Sequence, residues 1–348
     1  MRPGATAARA TPGDDQDTRL MIDTLEEGLS RLQRRPVQIR AIQRELLPSL
    51  SSFRRERLRL TLEDNSTLRV FLKDLNPDHQ TEKARAVRAR DLAPSSRELR
   101  MYRSILSPER FGTLHLYADR WEPDRGLFWI FLEDGGRMLL HNFVDMDRWT
   151  AAARWAARFH TAGRTLTAEQ VGFLPRYDHA HYRACAERVA AILPNLEPPE
   201  RELVERGLGR YLRSVDQLAA LPHNVIHGQF FGRNVMLRRG TGERRIVVID
   251  WETAALGPGT FDLVSLTSGK WTDDERQAMR VAYFEQLQLE SGQPLNWETF
   301  CRELAAVALY QSLEWLAWWG RHRGLSRGFL TFRNELARVL EDPLTQDG

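Results

Sequence analysis

Residues 225–237, VIHGQFFGRNVML, and residues 246–252, IVVIDWE, decide the fold of this chain of 348 residues. The first stretch is a β-type run that leads into a short polar loop containing Gln229 and Asn234. The second stretch is another β-type run, and it places Asp250 at its end. A carboxylate at a strand end, beside an amide on a neighbouring loop, suits a hard cation with oxygen ligands. Because Mg²⁺ takes one or two protein carboxylates and completes its shell with water and phosphates, we predict Asn234 and Asp250 as magnesium ligands.

The two stretches resemble the motifs of the aminoglycoside phosphotransferase and choline kinase family, whose members are related to protein kinases. The catalytic loop of that family reads His-Gly-Asp-x-x-x-x-Asn, and its metal-binding strand reads Ile-Asp-Trp-Glu or Ile-Asp-Phe-Glu. In this chain His227, Gly228 and Asn234 stand at the family spacing, and residues 249–252 match IDWE as they stand. The segment 257–263, GPGTFDL, resembles the part of the family sequence that follows.

The resemblance covers roughly residues 37–320 and implies a bilobal protein-kinase-like fold of the α+β class. The small N-lobe would be β-rich, and the larger C-lobe would be mainly helical. The hydropathy pattern agrees, since period-2 alternation over 57–62 is typical of a half-buried strand and helical spacing dominates after residue 146. The predicted organisation is a disordered tail over 1–20, a nucleotide-binding N-lobe over 21–134, and a C-lobe over 135–348 with the catalytic loop, metal site and acceptor pocket.

Individual elements follow from periodicity and from turn and cap residues. The patterns predict strands over 37–46, 56–63, 68–72, 115–118 and 126–132, and helices over 23–33, 94–106, 149–160, 177–192, 200–221, 271–287 and 297–321.

The resemblance also implies a nucleotide site in the N-lobe. Lysine occurs only at positions 73, 83 and 270, and Lys73 ends a strand as the ATP-binding lysine of kinases does. Its implied role is to hold the α- and β-phosphates, and Glu98 stands where a helix glutamate pairs with that lysine. The apolar run 127–132 and the residues Glu133-Asp134-Gly135 would form the hinge, whose backbone receives adenine. ATP and magnesium are therefore the expected cofactors.

The loop between the first two strands departs from the family pattern. Residues 47–53, LPSLSSF, contain no glycine, so this loop is not a glycine-rich cradle for phosphates. Ser51 and Ser52 are the residues predicted to offer hydroxyls and amides to the phosphates instead.

A second departure lies in the catalytic loop, where Gln229 occupies the position of the catalytic aspartate. A neutral amide can accept a hydrogen bond from the acceptor hydroxyl, but it cannot take a proton at neutral pH. Phosphoryl transfer is mostly positioning and charge stabilisation, so loss of the base slows the reaction without abolishing it. Glu252 either ligates the metal or stands in as the base, or it is a structural carboxylate at a strand end. We expect His227 to hold the loop to the metal-binding segment, and Asp262 to anchor the loop through hydrogen bonds.

The acceptor pocket is predicted on a late helix. In residues 305–319, AAVALYQSLEWLAWW, the carboxylate of Glu314 stands among aromatic residues. Together with Trp318 and Trp319 it would bind a cationic small-molecule acceptor by charge and cation–π contact. The alternative is a core helix with Glu314 facing solvent.

Composition excludes several classes of protein. The chain has 50 basic and 47 acidic residues, and a net charge of +3 is too mild to indicate nucleic-acid binding. Two cysteines form neither a disulfide framework nor a metal cluster, so a reducing, cytoplasmic setting is expected. No membrane-spanning run is predicted, because the most apolar window, 304–319, contains a glutamine and a glutamate.

The sequence therefore predicts an ATP- and Mg-dependent phosphotransferase that acts on a hydroxyl of a small molecule. A pseudokinase that binds nucleotide and acts through a partner is the main alternative, favoured by Gln229 and the glycine-free loop. The retained lysine and metal residues oppose that alternative. A kinase that phosphorylates peptide Ser or Thr during natural-product tailoring is a further alternative.

Overall fold

The computed structural model describes residues 14–48, 53–80, 93–239, 246–292, 294–322 and 326–342. Its contacts divide the chain into two compact units, Met1–Gly136 and Arg137–Gly348. Each unit has a hydrophobic core of its own.

The first unit is built on a five-stranded antiparallel sheet in the order β1-β2-β3-β5-β4. Its elements are α1 (Asp14–Gln33), β1 (Ile39–Leu46), β2 (Arg54–Leu62), β3 (Thr67–Asp74), α2 (Ala93–Ser104), α3 (Pro108–Phe111), β4 (Leu116–Glu122) and β5 (Leu127–Glu133). The alternation predicted for β2 is present, because Leu58 and Leu60 are buried while Arg59 between them is exposed. Asn65 has a φ of 62° in the β2–β3 turn, a left-handed conformation that asparagine tolerates.

The first helix begins nine residues earlier than predicted, at Asp14 instead of Asp23. Asp17, near its start, favours this longer helix, because negative charge stabilises the N-terminus of a helix. The apolar stripe Met21, Leu25 and Leu29, spaced by four residues, is buried in the core of the first unit. The prediction of a disordered tail over 1–20 is therefore wrong for residues 14–20, and residues 1–13 lie outside the described part of the chain.

The second unit is mainly helical. Its elements are α4 (Met146–Gly163), α5 (Ala168–Val171), α6 (His179–Ile192), α7 (Pro198–Ala219), β6 (Asn224–Ile226), β7 (Val235–Leu237), β8 (Ile246–Val248), β9 (Ala255–Gly257), α8 (Thr260–Thr267), α9 (Asp273–Ser291), α10 (Trp297–His322) and α11 (Arg327–Glu341). The four short strands form two antiparallel pairs, β6 with β9 and β7 with β8. The sheet of the first unit and the helices of the second confirm the predicted α+β class.

Helix α11 has no counterpart among the predicted helices. A periodic signal for it was present, because Phe329, Phe332, Leu336 and Val339 recur at intervals of three and four residues. Three of these four side chains are buried in the core of the second unit, and Phe332 packs against that core.

A polar contact is enclosed between α6 and α10 in that core. The ring of His181 stacks on Tyr177 at 3.9 Å between centroids, and its Nε2 lies 2.6 Å from Oη of Tyr310. Burial lowers the pKa of His181 to about 4, so the imidazole is neutral at neutral pH.

We expect the contribution of His181 to the free energy of unfolding to fall as the pH drops from about 6.5 to about 4. The unfolded chain binds more protons in this window, because His181 has a lower pKa in the folded state than in the unfolded state. The loss due to His181 should approach about 3 kcal/mol at the acid end, by the linkage of pKa to stability. Urea denaturation at several pH values measures it.

The variant His181→Gln keeps a hydrogen-bonding side chain but cannot titrate in this window. Its stability should depend less steeply on pH than that of the wild type, although burial also lowers the pKa of His227. His141→Gln, a change at an exposed histidine, is the matched control. An unchanged slope in His181→Gln would contradict the assignment.

Candidate active site

A buried carboxylate fixes the start of the loop between β6 and β7. Asp262, in the first turn of α8, accepts backbone N–H bonds from His227 at 2.7 Å and from Gly228 at 2.9 Å. Nε2 of His160 lies 3.0 Å from the same carboxylate, and Tyr283 lies 2.8 Å from the other ring nitrogen of His160. These contacts confirm the predicted anchoring role of Asp262.

The loop is also tied to the segment that follows β8. Gln229 donates its backbone N–H to Nδ1 of His227, so the ring proton is on Nε2 and is donated to the carbonyl of Ile249, 2.9 Å away. His227 thus holds the loop to the segment that was predicted to bind the metal, as expected. Gly228 has a φ of 81°, and a Cβ there would stand 2.3 Å from the carbonyl oxygen of Thr253. Only glycine fits this close approach.

The two predicted magnesium ligands are held next to each other by the backbone. Ile249 donates its N–H to the carbonyl of Asn234 at 3.0 Å, and Asp250 is the next residue along the chain. The side-chain Nδ2 of Asn234 donates to the carbonyl of Gln229, which leaves Oδ1 as its oxygen donor. Asp250 has a φ of 70° and is partly exposed. One amide oxygen and one carboxylate form a donor set that fits Mg²⁺, which prefers oxygen ligands.

The two residues predicted to do the acceptor chemistry differ in exposure. Gln229 is half-buried, its backbone N–H and C=O are both hydrogen-bonded, and its side-chain amide makes no hydrogen bond to any described residue. Glu252 is buried in the 3₁₀ turn Trp251–Thr253, directly after Asp250.

The first unit brings together Lys73, on β3, and Glu98, on α2. Nζ of Lys73 lies 2.6 Å from Oε2 of Glu98, and both side chains are less than a tenth exposed. The ring of Phe53, the last residue of the loop between β1 and β2, lies 5.8 Å from the ammonium group. The predicted phosphate-binding residues Ser51 and Ser52 lie outside the described residues.

The predicted hinge residue, Glu133, ends β5. Its backbone N–H donates to the carbonyl of His115 at 2.9 Å, and its carboxylate accepts from the N–H of His115. The backbone N–H of Glu133 is thus used within the sheet.

On α10, the predicted acceptor residues have partners within the second unit. Glu314 accepts hydrogen bonds from Nη2 of Arg188 at 2.8 Å and from Nε of Arg188 at 3.2 Å. Burial alone would lower the pKa of Arg188, but the Glu314 carboxylate raises it. The Trp318 and Trp319 rings are 4.8 Å apart, and a Cβ on Gly328 would stand 2.3 Å from the ring of Trp319.

Sequence reasoning missed two partners of the site residues, His160 and Arg188. His160 ends a run of apolar positions on α4 and is 1% exposed, but it is 102 residues away from Asp262 in the chain. Arg188 is one of many arginines, and it is 126 residues away from Glu314. A polar residue within an apolar helical stripe was the available signal for His160.

Comparison with known sequences decides the family. The profile of the phosphotransferase enzyme family matches residues 89–300, which is more than half of the chain. The chain belongs to the phosphotransferase enzyme family. No curated protein sequence gives a significant match to this phosphotransferase family member.

Solved structures confirm the kinase-like fold of this family member. A thermostable mutant of the aminoglycoside phosphotransferase APH(4)-Ia, in a ternary complex with ADP and hygromycin B, is 14% identical, with a TM-score of 0.59 over 93% of this chain and 99% of that chain. The GDP complex of wild-type aminoglycoside 2'-phosphotransferase-IIIa is 13% identical, with a TM-score of 0.56 over 90% and 97% of the two chains. A choline/ethanolamine kinase family protein from Mesorhizobium loti is 16% identical, with a TM-score of 0.52 over 86% and 89%.

The helices of this phosphotransferase family member differ from membrane-spanning helices. Within the described residues, none of them combines the length and the apolar character needed to span a bilayer.

Proposed function

We propose that this protein transfers the γ-phosphoryl group of ATP to a hydroxyl of a small molecule, with magnesium as the metal. The observation that supports the proposal is the backbone pairing of Asn234 with Ile249, the residue before Asp250, which brings the main chains of the two proposed ligands close together. Membership of the phosphotransferase family supports it. The structurally similar phosphotransferases were solved with ADP or GDP bound, which supports nucleotide binding here.

In the first unit, Lys73 would hold the α- and β-phosphates. Its buried ion pair with Glu98 fixes the position of the ammonium group, which phosphate binding requires. Ser51 and Ser52 would contribute hydroxyls and amides to the phosphates, and the backbone near Glu133 would receive the adenine.

In the second unit, Asn234 and Asp250 would hold the magnesium ion. When bound, the ion neutralises charge on the phosphates. Gln229 would accept a hydrogen bond from the acceptor hydroxyl through Oε1 and so aim its oxygen at the γ-phosphorus. Because the transition state is loose, the hydroxyl proton can leave late without a base in the loop. The burial of Glu252 in its turn supports a structural role for that carboxylate over the role of base.

The compartment proposed for this reaction is the cytoplasm. Cys185 and Cys301 are both free thiols, which supports a reducing setting.

The proposal is tested by measuring binding and transfer together. MgATP should raise the melting temperature of the wild type, and labelled γ-phosphate should appear in a component of a metabolite extract. Lys73→Met should abolish the shift, because it removes the cation that faces the phosphates. Lys270→Met, at an exposed lysine, is the matched control. A wild type without a MgATP shift, or a Lys73→Met variant that keeps it, would contradict the proposal.

The role of Gln229 gives a separate prediction. Gln229→Asp should raise the rate of transfer about tenfold to a hundredfold, because a positioned base typically contributes at least that much. Gln229→Ala should lower the rate, since the acceptor hydroxyl loses its hydrogen-bond partner. The backbone of the loop is held by other residues, so neither change should alter the fold. Initial rates with labelled ATP measure the effect.

The control for this pair is Gln217→Asp, on the exposed surface of α7. If neither change at position 229 alters the rate, Gln229 does not position the acceptor.

Gln229 also favours a second candidate function, a pseudokinase that binds nucleotide and acts through a partner. That candidate expects a MgATP shift without transfer to any component of the extract. It further expects that Gln229→Asp restores no turnover.

A further inference from the structure

Aromatic side chains flank the catalytic loop on the side of α10. Phe231, two residues after Gln229, lies 5.7 Å from Trp315 between ring centroids. Trp315 in turn stacks on Phe332 at 5.4 Å and lies 5.9 Å from Trp318. We refer to Phe231, Trp315, Trp318 and Phe332 as the aromatic face. All four residues are half-buried.

The aromatic face is continuous with the acceptor end of the loop. Phe231 donates its backbone N–H to the carbonyl of Gln229 at 2.7 Å, so its ring belongs to the same rigid turn. A ring bound on this face would therefore lie close to the residue that is proposed to position the hydroxyl. Flat apolar rings gain most from such a surface, through burial and stacking.

A cationic side chain lies beside the aromatic face, with the Asp250 carboxylate near enough to act on it. The guanidinium of Arg233 lies 5.2 Å from the ring of Phe231, and the residue is exposed. On α10, the exposed Arg321 follows Trp318 by three residues, which puts the two on the same side of the helix.

Glu314, the acidic residue of this stretch of α10, contacts α6. Glu314 forms an ion pair with Arg188 on α6, and burial together with the Glu314 carboxylate raises the pKa of Cys185, also on α6. Its negative charge is thus compensated by a residue on α6. The carboxylate that the sequence offered to a cationic acceptor already has a cation as its partner.

We propose that the acceptor is a hydroxylated anion with a planar ring, such as an aromatic carboxylate, and that the aromatic face and Arg233 recognise it. This inference rests on the proposed function, because it assigns the acceptor of that reaction. Arg233 would bind the anionic group with its planar donors, and the ring would lie on Trp315 and Phe231. A polycation would be repelled by Arg233 and would find Glu314 neutralised.

The reaction with such an acceptor is balanced. The hydroxyl oxygen forms a bond to the γ-phosphorus of ATP, the bond from that phosphorus to the bridging oxygen of ADP breaks, and the hydroxyl proton passes to solvent. No oxidant or further co-reactant is required.

Binding of two matched probes tests the inference. Hydroxyphenylpropionate and tyramine share one phenol ring on a short chain and differ in the sign of their charge. Ligand-detected NMR titration, with kanamycin as a polycationic competitor, gives their affinities for the full chain. Hydroxyphenylpropionate should bind at least about fivefold more tightly than tyramine, because one exposed charge contact contributes an affinity difference of that size.

Two variants separate the contributions of charge and ring. Arg233→Gln should weaken the binding of hydroxyphenylpropionate about fivefold and leave the affinity for tyramine unchanged. Trp315→Leu should weaken the binding of both probes equally, because it removes an aromatic ring that both would contact. Tighter binding of tyramine or kanamycin than of the anion would overturn the inference, and so would the absence of saturable binding by the anion.

The MgATP thermal shift of the same samples distinguishes this inference from the proposed function. If the shift is absent while the preference for the anion is present, the proposed function fails and the recognition stands. If the shift is present while the preference is absent, the inference alone fails. If Arg233→Gln removes the MgATP thermal shift and leaves both probe affinities unchanged, Arg233 binds the nucleotide and the inference is wrong.

Discussion

Asp250→Asn is expected to lower the rate of metal-dependent phosphoryl transfer by a factor on the order of 10²–10³, because it removes the carboxylate that would hold the metal against the phosphates. The backbone at this position is left-handed, with a φ of 70°. Asparagine tolerates that conformation nearly as well as aspartate, whereas alanine would add strain. Asn is therefore the substitution that tests the charge without disturbing the turn.

Initial rates over a series of magnesium concentrations measure this effect. Asp124→Asn, at an exposed residue of the first unit, is the matched control and should leave the rate unchanged. A higher magnesium concentration should recover part of the activity of Asp250→Asn if metal affinity is what was lost. Full activity at every concentration would refute the metal assignment.

Asp262→Ala is expected to lower the free energy of unfolding by about 3–5 kcal/mol, the usual cost of removing one partner from a buried charged network. The carboxylate is 1% exposed and accepts the backbone N–H groups of His227 and Gly228. Without it, two buried donors and the ring of His160 lose their acceptor. Urea denaturation followed by circular dichroism measures the loss.

Two further variants calibrate this prediction. Asp262→Asn keeps one acceptor oxygen and should cost less than Asp262→Ala. Asp178→Ala removes the side chain that caps α6 by accepting the N–H of His181, and it should cost about 1 kcal/mol. If Asp262→Ala costs no more than Asp178→Ala, the carboxylate is not the anchor of the catalytic loop.

Hydropathy patterns over neighbouring residues predicted most of the helices and strands. The alternation in β2 and the apolar run of β5 depend only on neighbouring residues, and both strands lie within two residues of their predicted ends. The start of α1 was predicted too late because the helix extends beyond its apolar stripe. Helix α11 was not predicted although its apolar residues show helical spacing, because the family motifs end before residue 321.

The candidate site was predictable only in part, and distance along the chain explains the difference. The catalytic loop and the Asp250 segment are contiguous motifs, so their residues could be named from sequence. The pair Lys73 and Glu98 came from family resemblance, because no local pattern joins residues 25 positions apart. The partner that neutralises Glu314 is 126 residues away, so the sequence left that carboxylate available to a cationic acceptor.

The catalytic loop is held through its main chain, and this separates its shape from the identity of residue 229. The carboxylate of Asp262 accepts hydrogen bonds from the backbone N–H groups of His227 and Gly228, and the side chain of Asn234 donates one to the carbonyl of Gln229. None of these bonds uses the side chain of residue 229. The side chain at this one position can therefore be exchanged while the hydrogen bonds that hold the loop stay intact.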